Sequence, residues 1–401
     1  MKPKIRIKGF NDAWEYSYLY NCLEISTEVN KENKYGKDEV LSVSDDFGVV
    51  NQIKHLGRSY AGKSVSGYKI LLPGQIVYTK SPLRDKPFGI IKENNYQAGI
   101  VSVLYAVYNV KEGIFSKYIQ RYFEPKQRIN KYLVPLVNKG AKNTMNISDE
   151  MSLNGKITKP VTICEQQAIC SYFDKVDELI STASSRLASL KQVKEASLQA
   201  MFPQKGETVP KIRFKGFEGE WVITKAAEIF KTVNERNFSG LPVLSATQDK
   251  GMVTRESIGY NIFHDKANES TYKHIRPGQF VMHLRSFQGG FAHSAIEGIC
   301  SPAYTIMEFK DKEVNHDLYW KYVLASKRFI KSLEMITYGI RDGRTISFDE
   351  FKEMVFLVPK VEEQQHIASY FTSLDKQIAL QTQRLEKLRQ IKAACLDKMF
   401  V

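Results

Sequence analysis

The chain has 401 residues, 58 Lys and Arg against 44 Asp and Glu, and a formal charge of +14. That length suffices for two or three domains with cores of their own, and 43% hydrophobic residues with 22 Phe and 21 Tyr exclude a disordered polyelectrolyte. The charge favours a polyanionic partner, nucleic acid first, because clustered cations release the counterions condensed on phosphates; charge alone does not separate such a binder from a merely basic soluble protein.

The N-terminal run MKPKIRIKGF has no apolar signal core and no stretch of 18 apolar residues occurs anywhere, so a cytoplasmic protein is expected. Five cysteines (Cys22, Cys164, Cys170, Cys300, Cys395) form no CxxC pair, which fits a reducing compartment and neither a disulfide framework nor a zinc knuckle.

Taken in chain order, the first informative segment is PKIRIKGFNDAW at residues 3–14, because it returns as PKIRFKGFEGEW at residues 210–221 with eight of twelve positions identical. The chain is therefore a duplication. Leu41-Ser42 is matched by Leu244-Ser245, Pro73-Gly74-Gln75 by Pro277-Gly278-Gln279, and Ile147-Ser148 by Ile346-Ser347. These surviving marks are turn residues and strand-like runs, as a common scaffold carrying two different surfaces would leave.

Between the marks lie candidate DNA contacts, chosen by loop chemistry. Lys80, Arg84 and Lys86 follow the first Pro-Gly turn, and His283, Arg285, Ser286 and Gln288 follow the second. Arg and Gln suit bidentate contacts to guanine and adenine edges. A second pair of aligned loops offers Lys139, Lys142 and Asn143 against Arg341 and Arg344, with Gly140, Gly339 and Gly343 permitting close backbone approach to phosphate. Lys63 aligns with Lys266. Any one of these could be an ordinary solvated charge; their aligned clustering is what raises the set.

Residues 165–201 contain no Pro or Gly and read as one helix, as do residues 363–399, and 18 of 38 positions of 165–202 are identical in 363–400. Val176, Ile180, Ala183, Leu187, Leu190, Lys194, Ser197 and Met201 recur every four and three residues; Leu374, Ile378, Gln381, Leu385, Leu388, Lys392, Cys395 and Met399 keep the same frame. A sustained 3.5-residue period predicts coiled-coil packing. With the second helix starting where the first has delivered the chain, the pair is expected to be antiparallel, a ruler between two unlike domains. The polar members Lys194, Ser197, Gln381 and Lys392 either set register or mark where a partner subunit enters.

The expected architecture is α+β: a recognition domain over 1–158, a helical region over 159–205, a second recognition domain over 206–357 and a second helical region over 358–401. Enzymatic signals are absent or out of context. GRSYAGKS at residues 57–64 matches the phosphate-loop pattern, yet the segment after it reads as a turn and a strand where a helix is required. No [DN]PP[YF] tetrapeptide is present to hold a flipped adenine, the seven histidines show no HExxH or HxH spacing, and the acids at Asp311 lack a nuclease partner motif.

The repeated unit start, the turns LLPGQIVY and RPGQFVM, and the strings KPVTICEQQAICSYFDKVD and VPKVEEQQHIASYFTSLD together resemble the specificity subunits of type I restriction-modification systems, over essentially the whole chain. The resemblance implies two target-recognition domains, each reading half of a split target in double-stranded DNA, and helical regions that dock two methyltransferase subunits. The resemblance implies as well that a translocating restriction subunit joins for cleavage. It also implies that S-adenosylmethionine, ATP and magnesium belong to those partners, with no cofactor, metal or catalysis on this chain. One departure is an extra residue before the first EQQ, at Cys164, which bears on the entry angle of the first helix. The alternative from another class is a coiled-coil adaptor or scaffold that does not read DNA.

Overall fold

The computed structural model describes residues 2–83, 85–139, 145–247, 249–258, 266–283, 286–333 and 346–401. The chain divides into two compact units, residues 1–184 with 383–401 and residues 185–382.

In the first unit the strands are β1 (Glu15–Tyr18), β2 (Leu23–Ile25), β3 (Leu41–Ser44), β4 (Gly48–Asn51), β5 (Lys69–Leu71), β6 (Ile76–Tyr78), β7 (Ile91–Glu93), β8 (Gly99–Val101), β9 (Ala106–Val110), β10 (Asn138–Lys139), β11 (Met145–Asn146) and β12 (Lys156–Lys159). Helix α1 (Gln52–Leu56) follows β4, and α2 (Ser116–Phe123) and α3 (Lys126–Leu133) follow β9. Strands β2-β9-β6-β7 form an antiparallel sheet, while β3 pairs β4, β5 pairs β8, β10 pairs β11 and β1 pairs β12. The long helix α4 (Ile163–Ala200) follows β12.

The second unit repeats this plan with β13 (Val222–Lys225), β14 (Phe230–Val233), β15 (Val243–Ala246), β16 (Met252–Thr254), β17 (Lys273–Ile275), β18 (Phe280–Met282), β19 (Ala292–His293), β20 (Gly298–Cys300), β21 (Thr305–Phe309) and β22 (Val355–Val358). Its helices are α5 (Ala226–Ile229), α6 (Ser286–Gly289), α7 (Asp317–Leu324), α8 (Lys327–Leu333), α9 (Phe348–Phe351) and the long α10 (Val361–Lys398). The sheet β14-β21-β18-β19 answers β2-β9-β6-β7, β13·β22 answers β1·β12, and β15·β16 answers β3·β4. Strand β15 pairs parallel with β20, and its counterpart in the first unit is the single parallel bridge Val40–Ile100.

The repeated Pro-Gly-Gln turn is one device used twice. Gly74 and Gly278 hold φ of +85° and +83°, where a Cβ is disfavoured. The Gln75 amide oxygen accepts from the Leu72 backbone N–H at 2.7 Å, and Gln279 accepts from Arg276 at the same distance. Each turn delivers a fully buried three-residue strand, Ile76–Tyr78 or Phe280–Met282.

The unit starts and the helix starts are locked together. Arg6 donates from Nε and Nη2 to the two carboxylate oxygens of Glu165, at 2.7 and 2.8 Å, and Arg213 does the same to Glu363 at 2.7 Å for both. The next glutamine turns inward: Gln166 accepts from the Phe115 N–H and donates to the Gly113 carbonyl, while Gln364 accepts from the His316 N–H and donates to the Val314 carbonyl. This accounts for the identities that the ends of the two copies share.

Both long helices span 38 residues, against the expected 165–201 and 363–399, and both begin two residues before their EQQ glutamate. The extra residue of the first copy is taken up before the helix, in a link of residues 160–162 where the second copy has only 359–360. The predicted stripe is the least exposed line along each: Val176, Ala183, Leu374, Gln381, Leu385, Cys395 and Met399 are buried, and Ile180, Leu187, Leu190, Ile378 and Leu388 are half-buried.

Within the first unit Tyr172 meets Cys395 and Lys392 pairs with Asp177 at 2.8 Å; within the second Lys194 pairs with Asp375 at 2.6 Å and Ser197 meets Tyr370 at 2.9 Å. In each unit the two helices therefore run antiparallel, as the sequence led us to expect. Their ends also enter the cores, where Phe173 stacks with Phe400 and the half-buried Phe202 with Phe371; the two fully buried rings, Phe173 and Phe371, each contribute about 1.5–3 kcal/mol.

Glu363 is 1% exposed, so removing it leaves the Arg213 guanidinium desolvated without its counter-charge. Glu363→Ala is expected to cost about 3–5 kcal/mol in urea unfolding, and the double change Arg213→Met with Glu363→Leu distinctly less, because the second removes both charges together.

Candidate nucleic-acid interface

Hairpin β3–β4 ends in α1, which Asn51 caps by accepting from the Lys54 N–H and Gly57 closes in the left-handed conformation. No helix follows Ser64 and the next element is β5, so GRSYAGKS does not form a phosphate loop. It forms instead an exposed cationic and aromatic strip. The Arg58 guanidinium lies 4.6 Å from the Tyr60 ring centre, and Tyr60 is 59% exposed. Phe47, at 68% exposure, sets its ring edge to face against His55. Lys63 is exposed in the same loop.

Lys80 and Lys86 are placed differently. Lys80, itself in a left-handed conformation, and Lys69 both hold Asp149, at 2.7 and 2.5 Å. Burial raises the Asp149 pKa, but hydrogen bonds from the two ammonium groups outweigh it and hold the carboxyl below its ordinary value. Lys86 is 7% exposed, paired with Asp45 at 2.8 Å and donating to the Glu124 carbonyl. Lys92 joins the same aspartate at 3.1 Å, again keeping its carboxyl ionised against the cost of burial. Lys86 therefore serves the interior of the domain, and Lys80 reaches the surface already half neutralised.

In the second unit β15–β16 leads into a 3-10 turn, Arg255–Ile258, where the Arg255 guanidinium lies 5.7 Å from the Tyr272 ring centre. Asp249 and Lys250 of the hairpin turn are exposed. His283 is half-buried and its backbone N–H donates to the Ser286 hydroxyl at 2.9 Å. Ser286 is fully buried at the start of α6 with its hydroxyl spent on that backbone contact, whereas Gln288 on the same short helix is exposed.

Lys139 lies in β10, and Lys266 opens the 3-10 turn Lys266–Thr271. Arg84, Lys142, Asn143, Arg285, Arg341 and Arg344 lie outside the described residues. Of the residues chosen from the sequence, Lys63 is exposed on this strip, while its neighbours Phe47, Arg58 and Tyr60, and Arg255 of the second unit, were not among them. Two of these sit inside the run dismissed as a chance phosphate-loop match, and their interleaved basic and aromatic character was the available signal.

Cys22, Cys170, Cys300 and Cys395 are buried and serve packing, whereas Cys164 is exposed. Burial pushes the Cys22 thiol up to about 11 and those of Cys170 and Cys300 up to about 12, so all three are neutral at physiological pH. Among the described residues no group of three or more His, Cys, Asp and Glu is placed to hold a metal ion, and no helix is long and apolar enough to cross a membrane.

Residues 218–390 match the family model described as type I restriction modification DNA specificity domain. No curated protein matches the chain. Among solved structures, the type I restriction-modification S subunit from M. genitalium superposes with a TM-score of 0.57 at 12% identity, covering 100% of this chain and 99% of that one. A chain of a type I R-M complex gives 0.50 at 14% identity, covering 96% and 97%. The HsdS subunit from Thermoanaerobacter tengcongensis gives 0.49 at 15%, covering 96% of each. Residues 218–390 are thus similar in sequence to a type I restriction modification DNA specificity domain, and the chain shares its fold with the M. genitalium S subunit along its length.

Proposed function

We propose that each repeat reads one half of a split, asymmetric target in double-stranded DNA. The recognition domains are residues 1–158 and 206–357, and the helical regions 159–205 and 358–401 set the spacing of the half-sites. One observation carries this: the two units share topology and the Arg–Glu–Gln lock, yet the loops on their equivalent hairpins differ, with Phe47, Arg58 and Tyr60 on one and Asp249, Lys250 and Arg255 on the other. A constant frame with unlike readers is what a two-part target requires.

In this reading two methyltransferase subunits dock along the helical regions and restriction subunits join them in the cytoplasm. S-adenosylmethionine, ATP and magnesium act on those partners. Lys63, Arg58 and Tyr60 supply phosphate attraction and stacking, and the outlying loop residues Arg84, Lys142, Asn143, Arg285, Arg341 and Arg344 stay in the contact set with Lys139, Lys266 and Gln288.

Sequencing methylated adenines in DNA exposed to the assembled complex is expected to give one split site, and exchanging residues 206–357 for those of a relative is expected to alter one half only. Alteration of both halves, or of neither, would refute the two-reader assignment. Arg58→Ala and Lys63→Ala are each expected to lower the slope of log K against log salt for duplex DNA by about 1. Lys86→Ala is expected to leave that slope alone and lower the melting temperature. A salt-insensitive complex would point to the adaptor.

A further inference from the structure

Superposing the repeats by their strand register brings two side chains of base-reading type to one position. Ser42 faces Val50 across β3–β4, and Ser245 faces Val253 across β15–β16. Immediately after the second strand of each hairpin, as the first residue of the helical turn, stands Gln52 in one unit and Arg255 in the other. Each is held by its own copy of the same serine: Gln52 Nε2 donates to Ser42 Oγ at 3.0 Å, and Arg255 Nε donates to Ser245 Oγ at 3.3 Å.

A second contact fixes each plane. Gln52 Oε1 accepts from the Tyr60 N–H at 2.7 Å, and Arg255 lies against the Tyr272 ring. Both side chains are half-buried at the base yet keep hydrogen-bonding capacity. The Gln52 amide retains one N–H and one acceptor lone pair. Arg255 Nη1 and Nη2 make no hydrogen bond among the described residues. A donor beside an acceptor matches the N7 and N6 edge of adenine, and two parallel donors match the O6 and N7 edge of guanine. A side chain already held in one rotamer also loses less entropy on binding than a free one.

Resting on the two-reader function proposed above, the geometry assigns Gln52 and Arg255 as equivalent specificity-determining residues, Gln52 reading an adenine in one half-site and Arg255 a guanine in the other.

The test uses the full chain assembled with its methyltransferase subunits, with methylated sites sequenced for wild type, Arg255→Gln, Arg255→Lys and Gln52→Arg. Arg255→Gln is expected to shift one position of one half from guanine to adenine, with the modification rate at the original site falling about 5- to 150-fold, the equivalent of one lost bidentate contact. Gln52→Arg is expected to make the reverse exchange in the other half. Arg255→Lys keeps the charge without the fork and is expected to relax that same position, so a folding defect, seen as a lower melting temperature with uniform loss, is told apart from lost reading. A wild-type split site left unchanged in sequence and rate by all three variants overturns the assignment, as does uniform loss at every position with an unchanged melting temperature. Absence of any split site in the wild type would instead overturn the parent reading.

Discussion

Two buried carboxylates, Glu165 and Glu363, hold the design together, because each ties the start of a repeat to the root of a long helix. A glutamate at 1–3% exposure has no water to stabilise it, so its Arg partner must meet both oxygens, and Arg6 and Arg213 do so in the fork geometry that lysine lacks. In the first copy the Trp14 indole N–H adds a third donor at 3.1 Å, whereas the buried Trp221 indole N–H finds no partner among the described residues. The first lock is thus the better satisfied, although it is Glu363 of the second that falls within the residues matched by the family model. The glutamine after each glutamate carries the restraint onward to the backbone leading into α2 or α7, so one short motif fixes the helix, the unit start and the domain base together.

With the frame secured at its base, the hairpins are free to differ. Ser42 and Ser245 survive because they orient whatever follows the second strand, and the following residue changes from Gln to Arg without altering the strand register. Charge is handled on the same principle. Lys86 and Lys92 share Asp45, and Lys69 and Lys80 share Asp149, so each cluster holds two cations with one anion and closes the domain interior while leaving an excess of positive charge.

What was legible in the sequence follows from this division. The duplication, the helix stripes and the paired turns were readable because periodicity and repeated residues record packing directly. The Glu165 and Glu363 locks were visible only as identity, since an ion pair between residues 159 or 150 positions apart leaves no local pattern. Among candidate contacts, loop chemistry could not tell exposed Lys63 from Lys86, whose fate depends on Asp45, 41 residues away. Gln52 and Arg255 were missed because register, which aligns them, is set by strand pairing and not by the residues alone.

The lysines in the helix stripes complete the account. A lysine at a seam position costs stability unless its ammonium finds an acid, and here each finds one on the opposite helix: Lys392 meets Asp177 in the first unit, with Glu124 of the domain as a further partner, and Lys194 meets Asp375 in the second. A slip of one heptad in either unit would move the ammonium roughly 10 Å along the axis, away from its carboxylate and into an apolar stretch. The same pairs reach the recognition domains, since Asp375 also accepts from the Tyr322 hydroxyl at 2.8 Å and Asp177 from Arg121 at 2.6 Å. Helix register and domain seating in each unit are thereby coupled through one carboxylate, Asp177 or Asp375, so that neither can shift without the other.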